Sequence, residues 1–334
     1  MTGPAPHITR LAPSPTGALH LGNARTFLVN WLMARQNGWR ILLRVEDLDG
    51  PRIKPHADLQ LINDLRWLGI DWDEPPLYQS TRLATYDAVV EQLVSARLAY
   101  PCVCSRREVD LAASAPHAED GATVYPGTCR GRFATVADAL ATTGRMPAIR
   151  FRVDTSDLTF DDGFASSDRR ETIGEAGSTT GTYRHICRPA SDLGDFVIRK
   201  SDGTAAYQLA VVVDDAAAGV TDIVRGDDLL DSTPRQIMLY RALGLAGRLP
   251  RYWHLPLVVG EDGRRLAKRH GDTRLATYRQ AGIQAGDILA LLARWCGMVL
   301  PPSIHSAPDL VGRLDLAQLP RGPIVFTPGD LVLR

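Results

Sequence analysis

The chain has 334 residues and equal numbers of basic and acidic side chains, 38 of each, so its formal net charge is zero. This balance excludes a protein that binds nucleic acid through a uniformly basic surface, and leaves local basic patches as the alternative. We find no secretory signal and no apolar run of bilayer length, and the five cysteines are an odd number. We therefore expect a cytoplasmic protein without a membrane segment, a disulfide framework or an obligate protein partner.

Residues 10–25 (RLAPSPTGALHLGNAR) predict a turn followed by the start of a helix. Residues 7–11 form an apolar run typical of a buried strand, and two prolines and a glycine then interrupt regular structure. The free N–H groups and positive dipole end of the helix that follows would form an anion site. Gly22 would let a base or a phosphate approach the backbone, and His20 would add a donor there. The alternative is an ordinary strand–helix unit with a simple loop.

Residues 39–45 predict a second buried strand, directly followed by acidic side chains. Acids just past the carboxyl end of a strand lie where open α/β sheets bind their ligands. Glu46 is therefore a candidate partner for an ammonium group, although capping or solvation could also explain an acid at this position. Helices are predicted at residues 57–68 and 82–97, and this succession indicates a doubly wound parallel fold.

The middle of the chain loses its periodicity and predicts an insertion on the main domain. Cys102, Cys104 and Cys129 could bind a structural zinc, which needs a fourth ligand, or they could be three ordinary reduced thiols. Coordination chemistry alone favours His117 as that ligand, because imidazole is the usual partner of thiolates. The polar, glycine-rich residues 166–184 are expected to be mobile.

Arg225 follows another predicted strand, at residues 221–224, and so belongs to the same ligand side of the sheet. Residues 232–234 (STP) predict a helix start with a hydroxyl N-cap. Asp202 and Gly203 predict a hairpin turn, and residues 261–269 (EDGRRLAKR) predict a second turn followed by a basic loop. Helices are predicted again at residues 276–281 and 285–298.

These motifs together resemble the class I aminoacyl-tRNA synthetases. Residues 20–23 resemble the His-x-Gly-x signature, and residues 10–17, with residues 44–49 and 79–82, resemble the glutamate-activating branch. The basic loop resembles the second signature, Lys-x-Ser-Lys. Lys268 keeps its second lysine, whereas Arg265 replaces the first lysine and Ala267 replaces the serine.

The resemblance implies a Rossmann-type catalytic domain that uses ATP, with Mg²⁺, to activate L-glutamate. It implies that His20 and Lys268 are catalytic and bind ATP together with Gly22 and Asn23. It also implies that the glutamate site consists of Arg10, Ala12, Ser14, Glu46, Tyr207 and Arg225. The two carboxylates and the ammonium group of glutamate would be matched by Arg10, Arg225 and Glu46. The alternative is that both arginines lie in surface ion pairs.

Short members of this family, which glutamylate queuosine in tRNA(Asp), also carry Cys-x-Cys and Tyr-x3-Cys motifs. The resemblance therefore implies a Zn²⁺ site of Cys102, Cys104, Tyr125 and Cys129, with Tyr125 preferred over His117. It divides the chain into catalytic halves at residues 1–100 and 191–272, a zinc-bearing insertion at 101–190, and a helical, stem-contact-like tail at 273–334 without an anticodon-binding domain. The alternatives to this function are a truncated glutamyl-tRNA synthetase, an inactive RNA-binding paralogue and a nucleotidyltransferase.

Overall fold

The computed structural model describes residues 6–113, 124–165, 182–264, 266 and 273–331. The strands are β1 (Ile8–Leu11), β2 (Arg40–Val45), β3 (Leu77–Tyr78), β4 (Ala99–Cys102), β5 (Ala148–Phe151), β6 (Leu158–Asp162), β7 (Tyr183–Cys187), β8 (Phe196–Arg199), β9 (Asp222–Gly226), β10 (Arg251–Leu255), β11 (Val258–Val259) and β12 (Ile324–Val325). The α-helices are α1 (Leu21–Gln36), α2 (Ala57–Trp67), α3 (Leu83–Ser95), α4 (Arg106–Ala113), α5 (Val136–Thr143), α6 (Pro189–Asp192), α7 (Tyr207–Ala218), α8 (Ser232–Ala242), α9 (Leu275–Gln280) and α10 (Ala285–Trp295).

Two groups of parallel strands lie side by side in the molecule. In one group β2 lies between β1 and β3, and in the other β10 pairs with β9 and β6. The groups meet where the backbone N–H of Thr221 donates to the carbonyl of Ile8 at 2.9 Å. The strands β1, β2 and β9 are largely buried, as expected for strands covered on both faces. The predicted α/β fold with parallel strands is confirmed.

A separate antiparallel sheet is formed by β4, β5 and β8. Its own small core contains Tyr100, Cys102, Tyr125, Cys129 and Phe133. The strands β6 and β7 lie within the range predicted for the insertion, yet they pair with each other and, through β6, with β10 of the large sheet. Short strands of this kind carry no local signal for the sheet that they join.

The last described segment packs back onto the catalytic half. β12 pairs in parallel with β11, and α10 buries Ile288, Leu291 and Leu292 in the same core as α1. The helix α10 ends at Trp295, three residues before the predicted end, and Gly297 follows with a φ of 69°. Such a left-handed residue is easily adopted by glycine just after a helix. Within the described residues, no helix is long and apolar enough to cross a membrane.

Two local predictions were wrong in detail. The helix α8 begins at Ser232 with Asp231 as its N-cap and has no side-chain capping bond, whereas the hydroxyls of Ser232 and Thr233 accept from Gln208 and Arg225. The prediction that residues 166–184 are mobile is wrong for residues 183–184, which belong to β7. The rest of that prediction, at residues 166–181, lies outside the described residues.

Candidate active site

A cavity of about 430 Å³ opens at the carboxyl ends of β1, β2 and β9. It is lined by nine of the residues predicted to bind glutamate or ATP, which are Arg10, Ala12, Ser14, His20, Gly22, Asn23, Glu46, Tyr207 and Arg225. Lys268, Arg265 and Ala267 lie outside the described residues. The strand-end positions predicted from the sequence therefore converge on one cavity, as the geometry of parallel sheets requires.

The N-terminus of α1 forms one wall of this cavity. His20 is its N-cap, and Nδ1 of His20 accepts from the backbone N–H of Asn23 at 3.4 Å. A neutral imidazole that accepts at Nδ1 carries its proton at Nε2, so that nitrogen is the donor. A Cβ on Gly22 would lie 3.1 Å from Cε1 of His20. Gly22 therefore leaves room for the imidazole, a role that the sequence did not indicate.

Two residues that line the cavity, Arg10 and Glu46, belong to one ion-pair network. The Nε atom of Arg10 lies 3.3 Å from Oδ1 of Asp215, and Arg44 donates to the same oxygen. Arg44 also donates to Oε1 of Glu46 at 3.0 Å, and Ser14 Oγ lies 3.4 Å from Oε2 of that residue. Burial raises the pKa of Glu46, and the charge of Arg44 opposes this shift.

Sequence reasoning missed Arg44 and Asp215 in this network. Arg44 could have been found, because residues two apart in a strand point to the same face and Arg44 precedes Glu46 by two. Asp215 lies on α7 and follows an apolar run. Nothing in that run indicated that Arg10 and Arg44 would pair with it. Its neighbour Asp214 accepts from Gln79, Arg82 and Tyr86, with distances of 2.6–2.8 Å. Gln79, Arg82 and Tyr86 therefore anchor α7, whose first residue, Tyr207, lines the cavity.

Arg225 also lines the cavity, and its guanidinium is held by neutral hydrogen-bond acceptors. Its Nε donates to Nε2 of His254 at 2.9 Å, Nη1 donates to Oε1 of Gln236 at 2.9 Å, and Nη2 donates to Oγ1 of Thr233 at 2.7 Å. Nδ1 of His254 lies 2.5 Å from Oδ2 of Asp162. Burial lowers the pKa of His254 to about 4, so this imidazole is neutral at pH 7. No carboxylate of the described residues forms an ion pair with Arg225.

Backbone hydrogen bonds join the residues on either side of the stretch that contains Lys268 to segments that line this cavity. The N–H of Leu266 donates to the carbonyl of Val258, a cavity residue, at 3.3 Å. Beyond the stretch, Leu21 N–H donates to the carbonyl of Thr273 at 3.0 Å, and Leu275 N–H donates to that of Leu19 at 2.9 Å. The segment after Lys268 is thus paired with the segment around His20.

The three predicted thiols form a cluster at the end of the small sheet. The sulfur atoms of Cys102, Cys104 and Cys129 lie within 4.8 Å of one another. The Tyr125 oxygen lies 3.3 Å from Cys102 Sγ and 3.6 Å from Cys104 Sγ, and accepts from the N–H of Cys129 at 2.9 Å. A cluster of three thiols at these distances could hold a metal ion. His117 lies outside the described residues.

Comparison with known proteins identifies the family. Residues 7–302 match the catalytic domain described as tRNA synthetases class I (E and Q). A glutamyl-Q tRNA(Asp) synthetase of Nitratidesulfovibrio vulgaris is 44% identical, and the match covers 97% of both chains. A glutamate–tRNA ligase of Halorhodospira halophila is 40% identical, with 97% of this chain and 65% of the ligase covered.

Among solved structures, a glutamate tRNA ligase from Elizabethkingia meningosepticum in complex with its amino acid superposes with a TM-score of 0.76. That protein is 26% identical, and the match covers 98% of this chain and 68% of the ligase. Together with the parallel strands and the His20 and Gly22 signature at the cavity, these matches show that the chain belongs to the class I aminoacyl-tRNA synthetases of the glutamate and glutamine type.

Proposed function

We propose that this protein uses ATP to convert L-glutamate to glutamyl-adenylate and then transfers the glutamyl group to queuosine in the anticodon of tRNA(Asp). The observation that carries this proposal is the match to four proteins named glutamyl-Q tRNA(Asp) synthetase. They are 44–45% identical, and the match covers 94–97% of both chains in each case. About a third of the Halorhodospira glutamate–tRNA ligase lies outside its match.

The charges of the cavity support glutamate as the amino acid. Glu46 is an acid that can pair with the ammonium group, and Ser14 and Tyr207 add neutral hydrogen-bond partners. Arg10 shares Asp215 with Arg44, whereas Arg225 is a buried cation without a described counterion. A buried charge is costly unless it is paired. A ligand that brings a carboxylate to Arg225, as glutamate does, therefore fits the cavity.

The first step is attack of the glutamate α-carboxylate on the α-phosphate of ATP, with pyrophosphate as the leaving group. This step needs no nucleophile from the protein, so catalysis rests on positioning and charge neutralisation. Nε2–H of His20 is a donor for the phosphates, the positive dipole end of α1 at Gly22 and Asn23 attracts their charge, and we assign Lys268 to the same phosphates. Mg²⁺ that enters with ATP neutralises part of the phosphate charge.

The thiol cluster is proposed as a structural Zn²⁺ site with Cys102, Cys104, Tyr125 and Cys129 as ligands. The spacing of the sulfur atoms and the phenol oxygen supports this assignment. Its place in the core of the small sheet supports a structural role, because it would join β4 to the turn before Arg130. Free thiols at such a site fit a reducing compartment, in agreement with the expected cytoplasmic location.

Labelled glutamate, ATP and total tRNA from cells with and without queuosine provide the test. We expect label only on tRNA(Asp), only when queuosine is present, and only on that nucleoside. The variant His20→Ala is the matched control, because it should form the adenylate much more slowly and keep the fold. Label at the end of tRNA(Glu) would instead identify a shortened glutamyl-tRNA synthetase. Absence of glutamate-dependent pyrophosphate exchange would favour an inactive paralogue or a nucleotidyltransferase.

A further inference from the structure

Arg225 is oriented by the imidazole of His254 and not by a carboxylate, although a carboxylate is the usual partner of a buried arginine. Three of the five N–H groups of its guanidinium are used by His254, Gln236 and Thr233. One N–H group on each Nη atom is left, and Arg225 lines the cavity. Such a pair of N–H groups matches the two oxygens of a carboxylate.

We infer that Asp162 and His254 are positioning residues of the glutamate pocket, which hold Arg225 in place while leaving its charge for a substrate carboxylate. This inference rests on the proposed function, since it assumes that glutamate is the ligand. Neither residue lines the cavity, so both act through Arg225.

Asp162 determines which nitrogen of His254 carries the proton. Its Oδ1 accepts from the backbone N–H groups of Phe164 at 2.9 Å and Ala165 at 2.6 Å, which fixes the carboxylate on the loop after β6. Its Oδ2 lies 2.5 Å from Nδ1 of His254, and an ionised carboxylate can only accept, so Nδ1 must carry the proton. Nε2 is then an acceptor and faces Nε–H of Arg225.

The neutrality of His254 matters because an acid in its place would cancel the charge of Arg225. Its charged or titratable neighbours are Arg225, Asp162 and His185, and the ring of Tyr252 stacks on it at 6.2 Å. Burial and the charge of Arg225 both lower the pKa of His254. The imidazole therefore stays a neutral acceptor over the pH range in which glutamate carries its two carboxylates.

Two substitutions at His254 separate a positioning role from a merely structural one. His254→Gln keeps an acceptor at the end of a side chain of similar length, whereas His254→Met fills similar space without one. We expect His254→Met to raise the Kd for glutamate roughly ten- to hundredfold, because Arg225 loses a charge-assisted hydrogen bond and its orientation. His254→Gln should restore most of the affinity. Calorimetry on the full chain would measure glutamate and ATP binding separately, and ATP affinity should not change.

Asp162→Asn gives an independent measurement that leaves the imidazole in place. An amide can donate to Nδ1 and favour the wrong tautomer, so we expect weaker glutamate binding here too. The matched control is His7→Gln, because Nδ1 of His7 also bonds an aspartate, Asp222, at 2.8 Å, outside the cavity. This variant should bind glutamate normally.

Wild-type glutamate affinity in both His254→Met and Asp162→Asn would overturn the inference, as would equal losses in His254→Gln and His254→Met. A parallel loss of ATP binding would also overturn it, because that result indicates a general structural effect. Failure of the unmodified protein to bind glutamate would instead contradict the proposed function itself.

Discussion

Oδ1 of Asp215 lies 3.3 Å from Nε of Arg10, although one residue belongs to a helix of the second half of the chain and the other to the first strand. The same oxygen accepts from Arg44, so one carboxylate pairs with two arginines that are almost fully buried. The cavity is therefore assembled around an acid that does not line it.

Replacement of Asp215 by alanine should destabilise the protein strongly. Loss of one partner leaves buried charges uncompensated, which costs about 3–5 kcal/mol. The free energy of unfolding in urea measures this cost. Asp87→Ala is the control, because Asp87 is half exposed and lies 3.9 Å from Arg199, and such a pair contributes about 0–1 kcal/mol. Equal effects of the two substitutions would contradict the role assigned to Asp215.

Arg10→Ala and Arg225→Ala should each weaken activation of glutamate by about 2–5 kcal/mol in kcat/KM, because a desolvated substrate carboxylate would lose its partner. The loss should be smaller for glutamine in Arg225→Ala if Arg225 binds the side-chain carboxylate. Pyrophosphate exchange with each amino acid measures both effects. Wild-type kinetics in both variants would show that the pocket lies elsewhere.

His20→Ala should lower kcat for adenylate formation by about a hundredfold and leave ATP affinity nearly unchanged, because its donor acts mainly on charge formed in the transition state. Gly22→Ala should reduce kcat to a smaller extent, since the new Cβ would lie 3.1 Å from the imidazole and displace it. Steady-state kinetics with varied ATP test both changes. An unaltered kcat in His20→Ala would remove this residue from the mechanism.

Tyr125→Phe should lower the zinc content of the purified protein, and His117→Ala should leave it unchanged. A phenol binds the metal only as a phenolate, which the metal's own charge stabilises, and Phe cannot supply that ligand. Elemental analysis of the two variants beside Cys104→Ser, which should also lose zinc, decides between the two ligands. The opposite pattern would assign the fourth position to His117.

The KM for glutamate should rise at low pH. Burial raises the pKa of Glu46 above the ordinary value for a glutamic acid, and below that raised pKa the side chain is protonated and neutral. A neutral side chain no longer attracts the substrate ammonium, so affinity falls as the pH falls through this value. The pH profile of kcat/KM reports the free enzyme. Glu46→Gln should lower kcat/KM at neutral pH and remove this acidic limb, and a limb that persists in that variant belongs to another group.

Local patterns determined most of the fold and much of the cavity. The apolar runs at β1, β2 and β9 predicted strands, and the residues just after them, Glu46 and Arg225, were predicted to face a ligand. They do line one cavity, because parallel strands bring their carboxyl ends to a single edge. The cysteine spacing likewise predicted a cluster that the folded chain forms.

What holds those residues in place was decided only by the tertiary structure. Asp215, Asp162 and His254 lie far along the chain from at least one of the residues that they support, and hydrogen bonds between distant segments leave no periodic signal. The same reason explains why the segments of β6 and β7 were assigned to the insertion at residues 101–190, since a short segment carries no pattern that identifies its sheet. Side-chain chemistry is local and can be read from the sequence, whereas the partner of a buried charge depends on which segments the fold brings together.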